Sequence, residues 1–448
     1  MNLYKIFLFI LVLTTWLNGG QWVIDTLPTS GYYYSMVIDS NGVQVIGYNS
    51  GKVSCAKYIS GYGWLIQNID TEGYAYSYNV RWLAAGKNGS LHAAYEHYNG
   101  SYSSDLKYAK WNGVTWISEA VTGATNLSWI YDISIVVDSN DNPHIAYYDG
   151  NSGDYKYINN TGTGWSSPSV MPGSSSSAGL AIDGGNTIHT AYYSGSLYYA
   201  KKDAGGSWSS PEIVTNDGGW NCSIAVSPSG MVAIAYQDSN EDLKCAIKIG
   251  NSWQIYNVDV GDEKVGNYIS VAIDSISNVH IVYDNYSFDD LKYAKLSAGT
   301  WNVQTIDSIG KVGDHCSIAI NTQNNPCIAY DDETNNRIKY AYWSGGPTSS
   351  TTDIPANIKL RNNSFKPEKG EKMEIECELF QSSNLKINIY NLKNELIKTV
   401  VDENRTEGKY SEFWEGINSR GEIVGSGLYF VVIEVGSHKI VKKAVVIK

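Results

Sequence analysis

One phrase recurs seven times in this chain and limits what it can fold into. Ile-Ala-Tyr or a close variant, preceded by an apolar segment and a polar turn, ends at Tyr48, Tyr95, Tyr147, Tyr192, Tyr236, Tyr283 and Tyr330, at intervals of 44 to 52 residues. Each unit carries four short apolar segments. The first resembles Ile269-Ser-Val-Ala-Ile-Asp274, the second His144-Ile-Ala-Tyr147 and the third Leu291-Lys-Tyr-Ala-Lys295. The fourth opens on Trp, as in Trp301-Asn-Val-Gln-Thr-Ile-Asp307. Runs of this length, rich in Val, Ile and Tyr and bounded by Gly, Asn, Asp and Ser, predict strands. No segment shows a helical period. Four antiparallel strands per unit of about 40–50 residues describe a blade of a β-propeller. The expected fold is all-β: a seven-bladed β-propeller followed by a C-terminal immunoglobulin-like β-sandwich.

The fourth-segment Trp appears at 64, 116, 165, 208, 253 and 301, so the last unit lacks its own. The segment Gln21-Trp22-Val-Ile-Asp-Thr-Leu27 matches the missing piece. Residues 21–27 are therefore expected to complete the last blade, which would remove an exposed sheet edge. The propeller then spans 21–343. Before it, one Lys, an apolar run over 6–13 and small residues near Gly20 give residues 1–20 the pattern of a secretory signal peptide. That run is too short to span a bilayer, and no other stretch could serve as a transmembrane segment. The expected location is secreted or cell-surface.

Two residue types invite chemistry and receive structural readings. His92, His144, His189 and His280 fill one repeat position, held elsewhere by Val45, Ala233 and Cys327. A residue used in most blades reads as packing, and the Trp series reads the same way. The cysteines at 55, 222, 245, 316, 327 and 377 lie at strand positions and read as small buried hydrophobes. A Cys222–Cys316 bridge stays open.

Residues 344–353 form a polar linker. After it the composition shifts: 29 of the last 96 residues are charged. Segments 372–379, 385–390, 396–401, 410–414, 427–435 and 440–447 alternate like the strands of a sandwich over 354–448. Asn363-Ser-Phe365-Lys-Pro367, Gly370, Ile389-Tyr-Asn-Leu392, Trp414-Glu-Gly416-Ile-Asn418, Gly421, Gly425-Ser-Gly-Leu-Tyr429 and Lys442-Lys443 resemble the bacterial immunoglobulin-like domains of the flagellar-hook-capping (FlgD-like) type. They are similar to the C-terminal sorting domains of type IX secretion substrates, with Ser364 where that family usually has Pro. The resemblance implies a bacterial exported protein whose tail serves export, outer-surface anchoring or spacing.

In a propeller the loops between second and third strands share a face with those entering each first strand. The former offer Glu96, Asp149, Asp238, Asp284, Asp331 and Asp332. The latter offer Tyr74, Tyr76, Tyr78, Trp129, Tyr131, Trp220, Tyr268 and His315. Rings beside carboxylates suit sugars, whose C–H faces pack on aromatics while their hydroxyls need acceptors. The candidate ligand-binding residues are Trp129, Tyr131, Trp220, Tyr268, His315, Glu96, Asp149, Asp238, Asp284 and Asp331. No cofactor is expected. Calcium is the side alternative, at Asp238-Ser-Asn240-Glu-Asp242, which lacks the Gly and distal Glu of an EF-hand loop.

The formal net charge of −12 argues against nucleic acid as a partner. A sialidase holds its substrate's carboxylate with three Arg, and the propeller contains only Arg81 and Arg337. Short loops offer no deep cleft for a reaction. The expectation is a non-catalytic binding protein for glycan or extracellular protein. A polysaccharide lyase or glycosidase on the propeller and a structural spacer are the alternatives.

Overall fold

Short apolar runs closed by Asn-, Asp- and Gly-rich turns satisfy their backbone groups most directly by pairing with the next run. The chain pairs them in sequence order. The structure is a computed structural model and describes residues 21–59, 63–71, 81–100, 103–173, 179–219, 221–297, 299–344, 356–379, 382–391, 396–435 and 438–448. Six consecutive four-stranded antiparallel sheets occupy 32–70, 83–120, 130–170, 179–215, 222–259 and 265–307. These are the first to sixth blades. The seventh joins Ser317–Ile320, Pro326–Asp332 and Arg337–Trp343 to the strand Trp22–Thr26. Trp22 lies opposite Trp343 and Thr26 opposite Lys339 in that antiparallel pair, so the start of the propeller closes its last sheet.

The strand 1–2 turns share a mechanism. Asp39, Asp138, Asp183, Asp274 and Asn321 each accept, through one side-chain oxygen, the backbone N–H groups two and four residues on. This is the Asx geometry that makes these residue types turn-formers.

Blades are joined at two radii. Near the axis, first-strand serines accept backbone N–H groups from the next blade. Ser134 binds Leu180, Ser223 binds Val271, Ser270 binds Ile318, and Ser317 closes the ring on Met36 at 2.9 Å. Further out, five of the seven fourth-strand tryptophans present their rings to a third-strand Tyr of the preceding blade. Trp165 meets Tyr108, Trp208 meets Tyr157, Trp253 meets Tyr199, Trp22 meets Tyr293 and Trp64 meets Tyr340, all edge-on with centroids 5.0–5.6 Å apart. Edge-to-face pairs add about 0.5–1.5 kcal/mol each beyond burial.

The histidines belong to the same joints. His92, His144, His189 and His280 place Nδ1 within 2.5–2.7 Å of the hydroxyls of Tyr108, Tyr157, Tyr199 and Tyr293. On the other side, Nε2 of His92, His189 and His280 meets the carboxylates of Asp141, Asp183 and Asp274. A carboxylate only accepts, so Nε2 carries the hydrogen and Nδ1 accepts from Tyr. Where strand 2 has Val45 or Ala233 in place of His, strand 3 has Cys55 or Cys245 in place of Tyr. The pair changes together because a lone buried hydroxyl would lose its partner.

All six cysteines are buried and unbridged, including Cys222 and Cys316. The tail forms two sheets. One holds Ala356–Arg361, Met373–Leu379 and Gly408–Trp414; the other holds Ser364–Phe365, His438–Val446, Gly427–Val435, Ser383–Tyr390 and Leu396–Arg405. Two of these, Ala356–Arg361 and Ser364–Phe365, are additional to the six strands expected from alternation. The Ser364–Phe365 strand is two residues long, too short to show a period, and pairs parallel to the last strand. The residues carrying the family resemblance meet in this core: Phe365 lies 5.6 Å from Trp414, and Trp414 5.2 Å from Tyr429. Residues 1–20, and the expected linker beyond Ser344, lie outside the described residues. Among the described residues no helix is long and apolar enough to cross a membrane.

Candidate functional site

The two loop sets bond to one another at one face. Gly150 N donates to Trp129 O, Lys264 N to Ser287 Oγ, Tyr268 N to Asp284 Oδ1 and Lys311 N to Thr334 Oγ1. Each contact joins the loop entering a blade to that blade's strand 2–3 loop.

On this face a cavity of about 680 Å3 opens among the fifth, sixth and seventh blades. Its wall includes Asn221, Gln237, Asp238, Asn267, Tyr286 and Asp314. Gln237 is fixed by donating Nε2 to Val265 O at 2.7 Å and to Tyr286 Oη at 3.2 Å. Asn221 Nδ2 reaches Asn267 Oδ1 at 3.3 Å. Lys311, also on the wall, is neutralised by Glu333 at 2.6 Å and Asp314 at 3.3 Å. The cavity therefore presents amides, hydroxyls and carboxylates with one ring and no free cation among the described residues.

Beside it, the sixth and seventh blades gather buried carboxyls. Asp284 and Asp331 are 1% and 3% exposed. Asp284 Oδ1 accepts from Tyr268 N, and its Oδ2 has no hydrogen-bond partner among the described residues. Burial, with the nearby Asp314 charge adding to it, pushes the Asp284 carboxyl up to about 7. Burial raises Asp314 and Asp331 too. Asp331 Oδ2 meets His315 Nδ1 at 3.3 Å, while its buried Oδ1 has no partner among the described residues. The His315 ring packs on Tyr268 at 4.4 Å and Tyr33 at 5.0 Å.

His315, Tyr33 and Asp132 share a repeat position, two residues before Ser317, Ser35 and Ser134. All three are left-handed, with φ of 51°, 59° and 50°. For a non-Gly residue this conformation costs about 1–2 kcal/mol, so the surrounding packing must hold it.

The candidate residues thus fall into separate groups. Tyr268, His315, Asp284 and Asp331 come together. Asp238 lies on the cavity wall, buried, paired to Lys244 at 2.7 Å and accepting the N–H groups of Asn240 and Asp242. Trp129, Tyr131 and Asp149 sit apart from these on the third blade. Trp129 is 54% exposed, and Tyr131 stacks on Tyr148 at 4.3 Å. Asp149 is buried and ion-paired with Lys156. Glu96, also buried, accepts from Ser104 Oγ at 2.5 Å and from Ile130 N at 3.4 Å, joining the second blade to the third. Trp220, Tyr74, Tyr76 and Tyr78 lie outside the described residues. Among the described residues no group of three or more His, Cys, Asp or Glu is arranged to hold a metal ion.

The list from sequence omitted Asn221, Gln237, Asn267, Tyr286 and Lys311. One signal was available for Gln237. The residue after each recurring Tyr is polar and buried in five blades, as Asn49, Glu96, Gln237, Asp284 and Asp331.

No family model and no curated protein sequence matches this chain. Several solved structures are similar in fold. A mutant of AofleA from Arthrobotrys oligospora is 13% identical, with a TM-score of 0.45 over 65% of this chain and 91% of that one. A mutant of Aleuria aurantia lectin in complex with alpha-methyl-L-fucoside is 13% identical, with a TM-score of 0.39 over 61% and 96%. PorZ, a surface component of the type-IX secretion system of Porphyromonas gingivalis, is 10% identical, with a TM-score of 0.40 over 91% and 69%. The chemistry of the site is taken from this chain's own residues.

Proposed function

We propose that the chain is an exported or surface-held protein whose propeller binds glycan, without turnover, in the cavity among the fifth to seventh blades. The observation that carries this reading is the cavity's composition. Sugars need many donors and acceptors at fixed angles and a ring for their C–H face. Asn221, Gln237, Asn267 and Tyr286 supply both, and Gln237 is held rigid by its own bonds. Asp238 and Asp314 with a neutralised Lys311 favour neutral or amino sugars over uronates, whose carboxylates would meet like charge. Exposed Trp129 with the Tyr131–Tyr148 stack offers a second platform, where glycan or a protein side chain would pack. The C-terminal sandwich serves export, anchoring or spacing in this reading.

A glycan array probed with the full chain and with Asn267→Ala, Tyr286→Ala and Trp129→Ala tests it. A discrete set of glycans whose signal falls in the first two variants supports the cavity. Loss in Trp129→Ala alone moves the site to the third blade. No signal from the wild-type chain removes the glycan reading and leaves a protein partner or a spacer.

A second reading is cleavage of a polysaccharide at the same cavity. Asp314 favours it, because burial raises its carboxyl to about 6, towards the range in which a cavity-wall carboxyl serves as a general acid. Product release from a bound polysaccharide would establish it.

A further inference from the structure

At the propeller axis the seven innermost strands enclose a second cavity, of about 330 Å3. Apart from Arg81 the side chains on its wall are apolar, with Ile38, Val136, Ile182, Val226, Ile273 and Ile320 among them, and inner-strand backbone such as Val271 O also faces it. Most of these stand late in their strands, so the cavity opens by the strand 1–2 turns, on the face opposite the proposed glycan site. The exception on the wall is Arg81.

Arg81 precedes the first strand of the second blade. Its side chain crosses the axis and donates Nη2 to Val271 O on the sixth blade. No carboxylate pairs with it among the described residues, and no other hydrogen bond of its guanidinium is present there. A guanidinium has five N–H donors in a planar fork, so most of this one's capacity faces the cavity unused. In repeat register Arg81 stands two residues before Leu83, deeper than the isoleucines at the mouth. The result is a cup with aliphatic walls and one cationic group at its floor. Burial depresses the Arg81 guanidinium to about 10, as expected for a cation lacking a counter-charge.

We infer that this axial cup binds a medium-chain aliphatic carboxylate, its head on the Arg81 guanidinium and its chain along the aliphatic wall. Charge complementarity selects the head, since Arg and a carboxylate form two parallel N–H···O bonds. The side chains select the body, because apart from Arg81 they give a sugar or an inorganic anion nothing to hydrogen-bond, while an aliphatic chain packs along them. The volume suits a chain of octanoate length and leaves no room for a protein segment with its polar backbone.

The test is calorimetric titration of octanoate, octanol and acetate into the full chain, its Arg81→Gln and Arg81→Lys variants, and Val226→Phe, which adds bulk at a half-buried wall position. Thermal melts of each variant report folding. The expected result is saturable octanoate binding at one site, with octanol and acetate each weaker by roughly tenfold or more. One lost charge-assisted contact, about 1.4 kcal/mol, corresponds to that factor. Arg81→Gln should lose the preference for octanoate over octanol, Arg81→Lys should keep part of it, and Val226→Phe should weaken binding of octanoate and octanol alike. Equal affinity for octanol, undiminished octanoate binding in folded Arg81→Gln, or no octanoate binding to the wild-type chain would each overturn the inference and leave Arg81 as a strut between the second and sixth blades.

Discussion

Trp22 donates its indole N–H to Gln304 Oε1 at 3.0 Å, a bond between residues 282 apart in sequence. The indole nitrogens of Trp64, Trp116, Trp208, Trp253 and Trp301 are buried without a partner among the described residues. The tryptophan on the closing strand is thus better anchored than most of its repeats, at the one joint where chain connectivity does not hold the strand in place. Replacing Trp22 with Ala should cost about 3–5 kcal/mol. Deleting residues 21–28 should lower the melting temperature by on the order of 10 °C. Scanning calorimetry checks both; a truncated chain that melts like its parent would mean the ring does not depend on this strand.

Burial depresses His92 and His280 to about 4, below the usual value of about 6.5. The unfolded chain therefore binds more protons between those values. Their contribution to stability is complete above pH 6.5 and is lost as the pH falls towards 4. Tyr293→Phe should cost about 1–3 kcal/mol at pH 7, because His280 Nδ1 loses its donor. Melting curves from pH 7.5 to 4.5 for His280→Ala, beside the wild type, should converge as the pH falls.

Asp284 has the opposite sign. Its folded value, about 7, lies above the unfolded value of about 3.9. Its contribution is present below pH 3.9 and is lost as the pH rises through 7. Asp284→Asn should therefore gain stability relative to wild type as the pH is raised from 4 to 8, measured by the same melts. A difference that stays constant over that range would show that Asp284 is charged throughout.

In the sandwich, Gly416 is left-handed at φ 70°, and a Cβ built there would stand 2.3 Å from Pro367 Cγ and 3.1 Å from Phe365. Gly416→Ala should destabilise the tail by about 1–3 kcal/mol through both strain and overpacking. Proteolysis of the tail, followed over time, should speed up accordingly; an unchanged rate would contradict this packing.

The ring was legible because its constraint is periodic. A Trp missing from the last unit and present at position 22 is enough to predict the closing pair, and four His at one repeat position already suggest structure over chemistry. Their Tyr partners were legible too, had the strand 2 and strand 3 substitutions been compared, since His with Tyr gives way to Val or Ala with Cys. The cavity was harder to see. Asn221 and Tyr286 come from loops whose composition resembles every other loop on that face, and Asn267 from an irregular strand start, so no periodic signal marks the three as neighbours. Burial also changes what an acidic residue is for: Asp149 and Asp238 read as ligands in sequence, and the structure holds each against a Lys.

Calorimetric titration of an array-selected glycan into the full chain and into Asn267→Ala decides whether the cavity among the fifth to seventh blades binds glycan. Asn267 is exposed on the cavity wall, and its loss should leave the melting temperature unchanged. One saturable site is expected, with affinity reduced by roughly tenfold or more in Asn267→Ala and the glycan recovered intact. Equal affinity in both proteins, or cleaved glycan after the titration, would contradict binding without turnover at this cavity.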